Sequence, residues 1–253
     1  MFKQEEIMIE FSEFDNNLRE DIIERMEKYT FCVIRGAIAK KDVLESMSSL
    51  KRQFSQLDDH PTVGEKPRDI QDNFQKLLVG GVAKKYNNFP RFFRTIYNPL
   101  WAEDKFGLKK CFKQTARLRN LLLNKPLGFA LEKIEDDGLW TASRIHQYPT
   151  GGGFFTEHRD TTIMDIAREK KIGFYQLILV LSVKGVDFET GGAFIESHGE
   201  RVSLEDYLEL GDIAIYDGTT IHGVEEIDSY KNLVLNAISG RTVGFVSLYK
   251  DMS

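Results

Sequence analysis

Cysteine is nearly missing from this 253-residue chain: only Cys32 and Cys111 occur, 79 positions apart, and no CxxC pair exists. That excludes a disulfide framework and a thiolate metal site, and reads as two buried thiols in a reduced compartment. Long apolar runs are missing too. The longest, LILVL at 177–181, falls far below the roughly 20 residues that span a bilayer, and the opening MFKQEEIMIEFSEF is too acidic for a signal peptide. The expectation is a soluble cytoplasmic protein with no membrane partner. No charge of one sign dominates, with 34 basic against 39 acidic residues and a net charge of −5, which disfavours a general nucleic-acid binder. No repeat, low-complexity tract or Pro/Gly/Ser linker divides the chain.

What is present is ordinary globular material, 42% apolar, 11% aromatic and 29% charged. A chain of this length buries about three-quarters of its unfolded surface, enough for a deep pocket within a full core. Its texture changes near residue 138. Before it, LREDIIERMEKY places Leu18, Ile22, Ile23 and Met26 at helical spacing, and FCVIRG (31–36) reads as a short buried strand stopped by glycine. Further helices are expected over 41–57 and 109–123, while 58–104 shows no clear period and reads as irregular. After Gly138 come short runs separated by Gly-, Asp- or Ser-containing turns: TASRIHQY, FYQLILVLSV, GGAFIES, DIAIYD, LVLNAIS and VGFVSLY. Six or more such strands predict a sandwich or barrel. The whole is expected to be one α+β domain over 1–253, with a mainly helical part and lid at 1–137 packed against a β core at 138–253.

The segment that points to chemistry is HQYPTGGGFFTEHRD, residues 146–160. Side chains two apart on an extended strand project to one face, so His158 and Asp160 can converge on one ion. Then, after 61 intervening residues, GDIAIYDGTTIHGVEEI carries His222 at the start of another apolar run. That gap fits three or four strands, enough for the chain to return beside the first pair. Two imidazoles and a carboxylate on one face of an octahedron suit non-haem Fe(II), whose three remaining positions can take a chelating co-substrate and O₂.

The stretch from about Ser143 to Tyr249 resembles the double-stranded β-helix (jelly-roll, cupin-like) core of the Fe(II)/2-oxoglutarate-dependent dioxygenases. The resemblance is carried by QYPTGGG, HRD, GGAFIE and the GDIAIYDGTTIHGVEEI block. It implies that His158, Asp160 and His222 are the catalytic iron ligands. It also implies that 2-oxoglutarate chelates the metal and is oxidatively decarboxylated to succinate and CO₂ as an unactivated C–H bond is oxidised, by default hydroxylated. The far carboxylate of 2-oxoglutarate needs a cation, and a planar guanidinium meets it with two parallel hydrogen bonds. Arg241, 19 residues after His222 in ISGRTVGFVSLYK, is the candidate; Lys231 is the rival, nearer the spacing of many relatives. Families with an Arg-x-Ser clamp carry a hydroxyl where this chain has Val243, so a second contact must come from elsewhere, with Tyr148 and Gln176 as candidates. Retention of Asp160 argues against halogenation, because related halogenases have a small residue there.

With Tyr148 facing inward, alternation turns His146 and Arg144 into the cavity, and these with Phe155 are the expected substrate contacts, suited to an acidic small molecule. Gly151 to Gly153 read as a flexible lip beside the metal pair, and Gly191 and Gly192 as a strand-entry turn. The irregular segment, with Arg68, Arg91, Arg94, Tyr97 and Trp101, is expected to supply the lid. A cupin-type metalloenzyme or isomerase that uses no 2-oxoglutarate is the alternative on the same barrel, and succinate formation separates the two.

Overall fold

A computed structural model describes residues 2–60, 68–84, 87–160, 165, 167–169, 171 and 173–250, without the side chains of 82–89. The chain opens with α1 (Gln4–Ile7), β1 (Met8–Glu10), α2 (Asn16–Tyr29), β2 (Phe31–Arg35) and α3 (Lys40–Gln53). A long hairpin follows, β3 (Phe74–Lys84) and β4 (Asn87–Tyr97), then α4 (Lys109–Leu122). The remainder is β5 (Leu139–Tyr148), β6 (Gly153–His158), β7 (Tyr175–Val180), β8 (Gly192–Ser197), β9 (Glu200–Ser203), β10 (Ile213–Asp217), β11 (His222–Ile227) and β12 (Arg241–Lys250).

The strands pair in the order β1-β2-β10-β7-β12-β5-β4-β6-β11-β8-β9, with β3 beside β4 and every pair but β1·β2 antiparallel. The path folds over at β4, which joins β5 through 94–97 and β6 through Arg91 and Phe92. One strand thus serves both layers of a double sheet, the way sandwich corners are made.

Period-two alternation explains the continuous apolar runs. In β2, Cys32 and Ile34 pack under the helices while Phe31 and Val33 enter the space between the sheets. The same split sends Leu177, Leu179, Ile213 and Ile215 outward to the helices, and Ile178, Val180, Ala214 and Tyr216 inward. Strands buried on both faces have no polar side to show. Helix α4 closes the outer face: Phe112 is fully buried, and Gly244 of β12 makes room for it, because a Cβ there would stand 2.8 Å from the Phe112 ring. Both cysteines are buried, and burial pushes the Cys32 and Cys111 thiols up. Among the described residues no helix is long and apolar enough to cross a membrane.

Two sequence expectations fail. The stretch 58–104 is not irregular where it is described beyond residue 73: it forms the β3–β4 hairpin, paired in register from Phe74↔Tyr97 to Lys84↔Asn87. Its alternation is hidden because both faces carry buried polar groups, Gln75 and Arg94 on one and Lys76 on the other, tolerated inside when hydrogen-bonded. Arg94 donates to Asp59, Gln147 Oε1 and the Leu235 carbonyl, and Gln75 donates to Ser55 O and Asp59 Oδ1. The expected lid is therefore largely core. Arg94 and Tyr97 are buried, and Trp101 is anchored to the Gln71 carbonyl and packs on Trp140. Arg68 is exposed, and residues 61–67 of this stretch lie outside those described. The second failure is LVLNAIS (233–239), which is a loop rather than a strand. Its carbonyls serve side chains instead of a ladder, Leu235 O accepting from Arg94 and Ser239 O from Gln147, and Leu233 is half exposed.

Replacing Phe112 by Ala should cost about 3–5 kcal/mol through lost burial and the cavity left over β12. Urea unfolding with an unchanged m-value would show it, and a loss below about 1 kcal/mol would mean that α4 does not clamp the sheet.

Candidate metal centre

His158 closes β6 and His222 opens β11, and the two are direct cross-strand partners in the antiparallel ladder. Between Phe155↔Val224 and His158↔His222, β6 spends three residues against two on β11, a bulge. Strict alternation would put Phe155 and His158 on opposite faces; the bulge re-aims the strand so that both enter the cavity. Phe155 stacks on the His158 ring at 3.7 Å, and the two imidazoles lie 4.3 Å apart between centroids. Asp160, two residues past His158, sets Oδ1 at 3.7 Å from His158 Nε2 and Oδ2 at 3.6 Å from His222 Nε2.

Hydrogen bonding fixes which nitrogens face the centre. His158 Nδ1 donates to the Thr156 carbonyl at 2.7 Å and His222 Nδ1 to the Thr220 carbonyl at 2.9 Å. Each ring therefore carries its proton on Nδ1 and turns the Nε2 lone pair inward, the tautomer a metal requires. Burial, and then the neighbouring His222, lower His158 to about 4, so it stays neutral. The three donor groups lie within 4.8 Å of one another, somewhat wider than the about 3 Å expected between neighbouring ligands with bonds of about 2.1 Å. A small contraction would bring them onto one ion, and no further protein donor crowds the remaining positions among the described residues. The donor set fits a divalent metal with open sites.

Of the two candidate cations, Arg241 lines the cavity and Lys231 does not. Arg241 heads β12 opposite Tyr148 of β5, is 2% exposed, and lines the same cavity as His158, Asp160 and His222. Its Nη2 is buried with no acceptor among the described residues, an orphaned donor of the kind a carboxylate would satisfy. Lys231 is elsewhere: it pairs with Glu189 at 2.9 Å and Asp228 at 3.2 Å and does not reach the cavity. Tyr148 is buried beside the Arg241 guanidinium, and burial pushes its phenol up, so it remains a donor. Gln176, expected on the co-substrate, donates to Asp160 Oδ2 at 3.2 Å and so orients the carboxylate. Ser182, on the same strand face, exchanges hydrogen bonds with the Thr242 backbone and is structural.

Arg144 and His146 line the cavity on the face that alternation from Tyr148 gives them, and Phe155 lines it through the bulge. Arg144 Nε donates to His146 Nε2 at 3.1 Å, so the His146 proton sits on Nδ1, a buried atom without an acceptor among the described residues. Burial and the nearby Arg144 hold His146 well below its usual pKa, hence neutral. Its ring lies 4.6 Å from both Phe93 and Phe245. Phe93, Tyr216 and Glu205 are the contributors that sequence reasoning missed. Tyr216 follows from the alternation of IAIYD, but nothing local marks the other two. The glycines are no free lip: a Cβ on Gly151 would stand 2.4 Å from Leu233 Cα, and one on Gly153 would strike Pro149. The cavity is small, about 50 Å³. A larger groove of about 470 Å³, lined by Asp58, His60, Phe74 and Lys105 among others, contains none of the converging groups.

A double sheet with a His-x-Asp pair and a distant His meeting at its open end has the fold of the non-haem iron, 2-oxoglutarate-dependent oxygenases. No protein-family model matches the sequence, and no curated protein does. Solved structures match over nearly the whole chain. The non-haem alpha ketoglutarate dependent epimerase SnoN from nogalamycin biosynthesis, solved with Fe3+, alpha ketoglutarate and nogalamycin RO, aligns at TM-score 0.56 and 11% identity over 93% of this chain and 85% of its own. A Pseudomonas putida prolyl-4-hydroxylase aligns at TM-score 0.51 and 13% identity, over 90% of this chain and 98% of its own. A putative oxygenase from Shewanella oneidensis aligns at 0.54 and 12%, over 96% and 89%. At such identities the likeness is one of fold.

Saturating Mn(II), or Fe(II) without oxygen, at about 100 times its Kd should raise the Tm by roughly 5–10 °C. His158→Ala and His222→Ala should each lose that rise while Lys231→Ala keeps it. An undiminished rise in His222→Ala would break the three-donor centre.

Proposed function

We propose that the protein is an Fe(II)- and 2-oxoglutarate-dependent oxygenase that oxidises a C–H bond of a small molecule. The observation that carries this reading is the pairing of two features in one cavity: an open His158/Asp160/His222 donor set and a buried Arg241 whose Nη2 lacks an acceptor among the described residues. A metal centre alone would fit a cupin-type enzyme equally; an unsatisfied guanidinium beside it calls for a carboxylate. In this reading the chain works as one unit over 1–253, with 138–253 supplying the metal and co-substrate groups and Phe93 of the β3–β4 hairpin packing behind His146, Tyr148 and Phe155.

His158, Asp160 and His222 would hold the metal, with Gln176 orienting Asp160. Arg241 would take the far carboxylate of 2-oxoglutarate, with the Tyr148 phenol as a neighbouring donor. When bound, iron would activate O₂ with 2-oxoglutarate as the two-electron reductant, which leaves as succinate and CO₂. The chain's own residues then exclude water and hold the target carbon near the centre. Phe155, Phe194 and Phe245 provide the apolar wall, and the Arg144–His146 pair provides donors for an acceptor group on the substrate, such as a carboxylate. An epimerase and a hydroxylase both share this fold, so the fold does not select the outcome; hydroxylation is the one proposed, set by where the target carbon is held.

Anaerobic titration with Fe(II) and 2-oxoglutarate should develop the weak visible charge-transfer band, and air should then yield succinate. Arg241→Lys should weaken 2-oxoglutarate binding by about 10–100-fold, the scale of a lost charge-assisted contact, while Lys231→Ala leaves it unchanged. Succinate-free turnover, or the reverse ranking of those two variants, would overturn the assignment.

A further inference from the structure

Arg241 does not present all of its donors to the cavity. Its Nε is committed at 2.6 Å to Glu205 Oε1, and both side chains are 2% exposed. The same Glu205 oxygen also accepts the Ala193 backbone N–H at 2.8 Å, so the carboxylate is held from β8 and cannot swing with the arginine. The approach depends on Gly192. A Cβ there would stand 2.3 Å from Glu205 Cγ, and its φ of +126° lies in the region that favours glycine. The pair of glycines read from sequence as a strand-entry turn therefore includes a notch for the Glu205 stem.

We propose that Glu205 is a positioning residue for the co-substrate: it grips Arg241 by Nε and so reserves the Nη edge for an incoming carboxylate. A guanidinium can offer a carboxylate either its Nε/Nη side or its Nη/Nη end, as two parallel donors. With Nε occupied, only the Nη end is available, and the buried Nη2 without an acceptor belongs to it. The arrangement exchanges charge for direction. The buried pair is neutral overall, so the anchor attracts anions less from afar than a lone arginine would, yet its plane is set before the ligand arrives.

This inference rests on the reading of Arg241 as the anchor, and two near-isosteric changes isolate it. Glu205→Asp keeps the charge but shortens the stem by one methylene, so the carboxylate cannot reach both the Ala193 N–H and Arg241 Nε. Glu205→Gln keeps the reach and an accepting oxygen but removes the charge. Calorimetric titration of 2-oxoglutarate into the Mn(II)-loaded protein should give at least tenfold weaker binding for Glu205→Asp and binding within threefold of the parent for Glu205→Gln, with metal affinity unchanged in both. In turnover, Glu205→Asp should raise the KM for 2-oxoglutarate more than it lowers kcat. Tolerance of Asp together with loss in Gln would show that charge balance matters rather than position and would overturn the proposal, as would parent-like binding in both variants. Should Glu205→Asp fail to fold, Gly192→Ala displaces the same stem and should give the same selective loss; parent-like binding there would count against the proposal. Arg241→Lys serves as the reference: unchanged 2-oxoglutarate binding in it removes the anchor reading itself, whereas weakened binding there beside parent-like Glu205→Asp removes only the role of Glu205.

Discussion

The site depends on one cross-strand pair. His158 and His222 face each other across the β6·β11 ladder, and the bulge just before His158 turns its ring into the space between the sheets. Direct opposition in an antiparallel ladder sets two side chains closer than most other arrangements permit, and register is hard to slip where one face is buried. The carbonyls of Thr156 and Thr220 then fix both tautomers by the same device, each ring bonding the backbone two residues upstream. Asp160 completes the set and is itself oriented by Gln176 from β7. Ligand geometry thus follows from sheet pairing, a rigid frame, rather than from the loops that follow it.

Around that centre the cavity wall is sorted by chemistry along β5. Tyr148 lies beside Arg241, while His146 and Arg144 lie two and four residues away on the same face. Four residues of strand cover about 13 Å, so the backbones of Arg144 and of Tyr148, the partner of Arg241, stand at different points along the cavity. Two cationic positions thus share one cavity with the aromatic rings of Phe155 and Phe245. Neutral His146 and the protonated Tyr148 phenol are donors held by burial, which disfavours any added charge in a confined space.

Much of the fold was legible because its local signals agree with its tertiary roles. Helices α2, α3 and α4 announced themselves by apolar spacing, and β2, β7, β10 and β12 by short apolar runs between turn residues. The hairpin β3–β4 was not legible, since its buried face carries charged and amide groups whose partners, Asp59, Gln147 and Leu235, come from distant segments. The loop 233–239 misled in the opposite sense: LVLNAIS has strand composition, but its carbonyls are claimed by Arg94 and Gln147, leaving no ladder to join. In both cases long-range hydrogen bonds overrode local preference.

For the site, the sequence by itself determined the chemical inventory: a His-x-Asp pair, a second histidine after 61 intervening residues, an arginine at the head of the last strand, and an alternating Arg144, His146, Tyr148 face. Those follow from spacing and period, which are properties of the chain alone. Only the tertiary structure decided that Arg241 rather than Lys231 reaches the cavity, that Gln176 serves Asp160, and that Glu205 grips the arginine across a notch at Gly192. The physical reason is that each of these is a choice among partners far apart along the chain, made by which groups burial brings within hydrogen-bonding distance, and no local pattern encodes that choice.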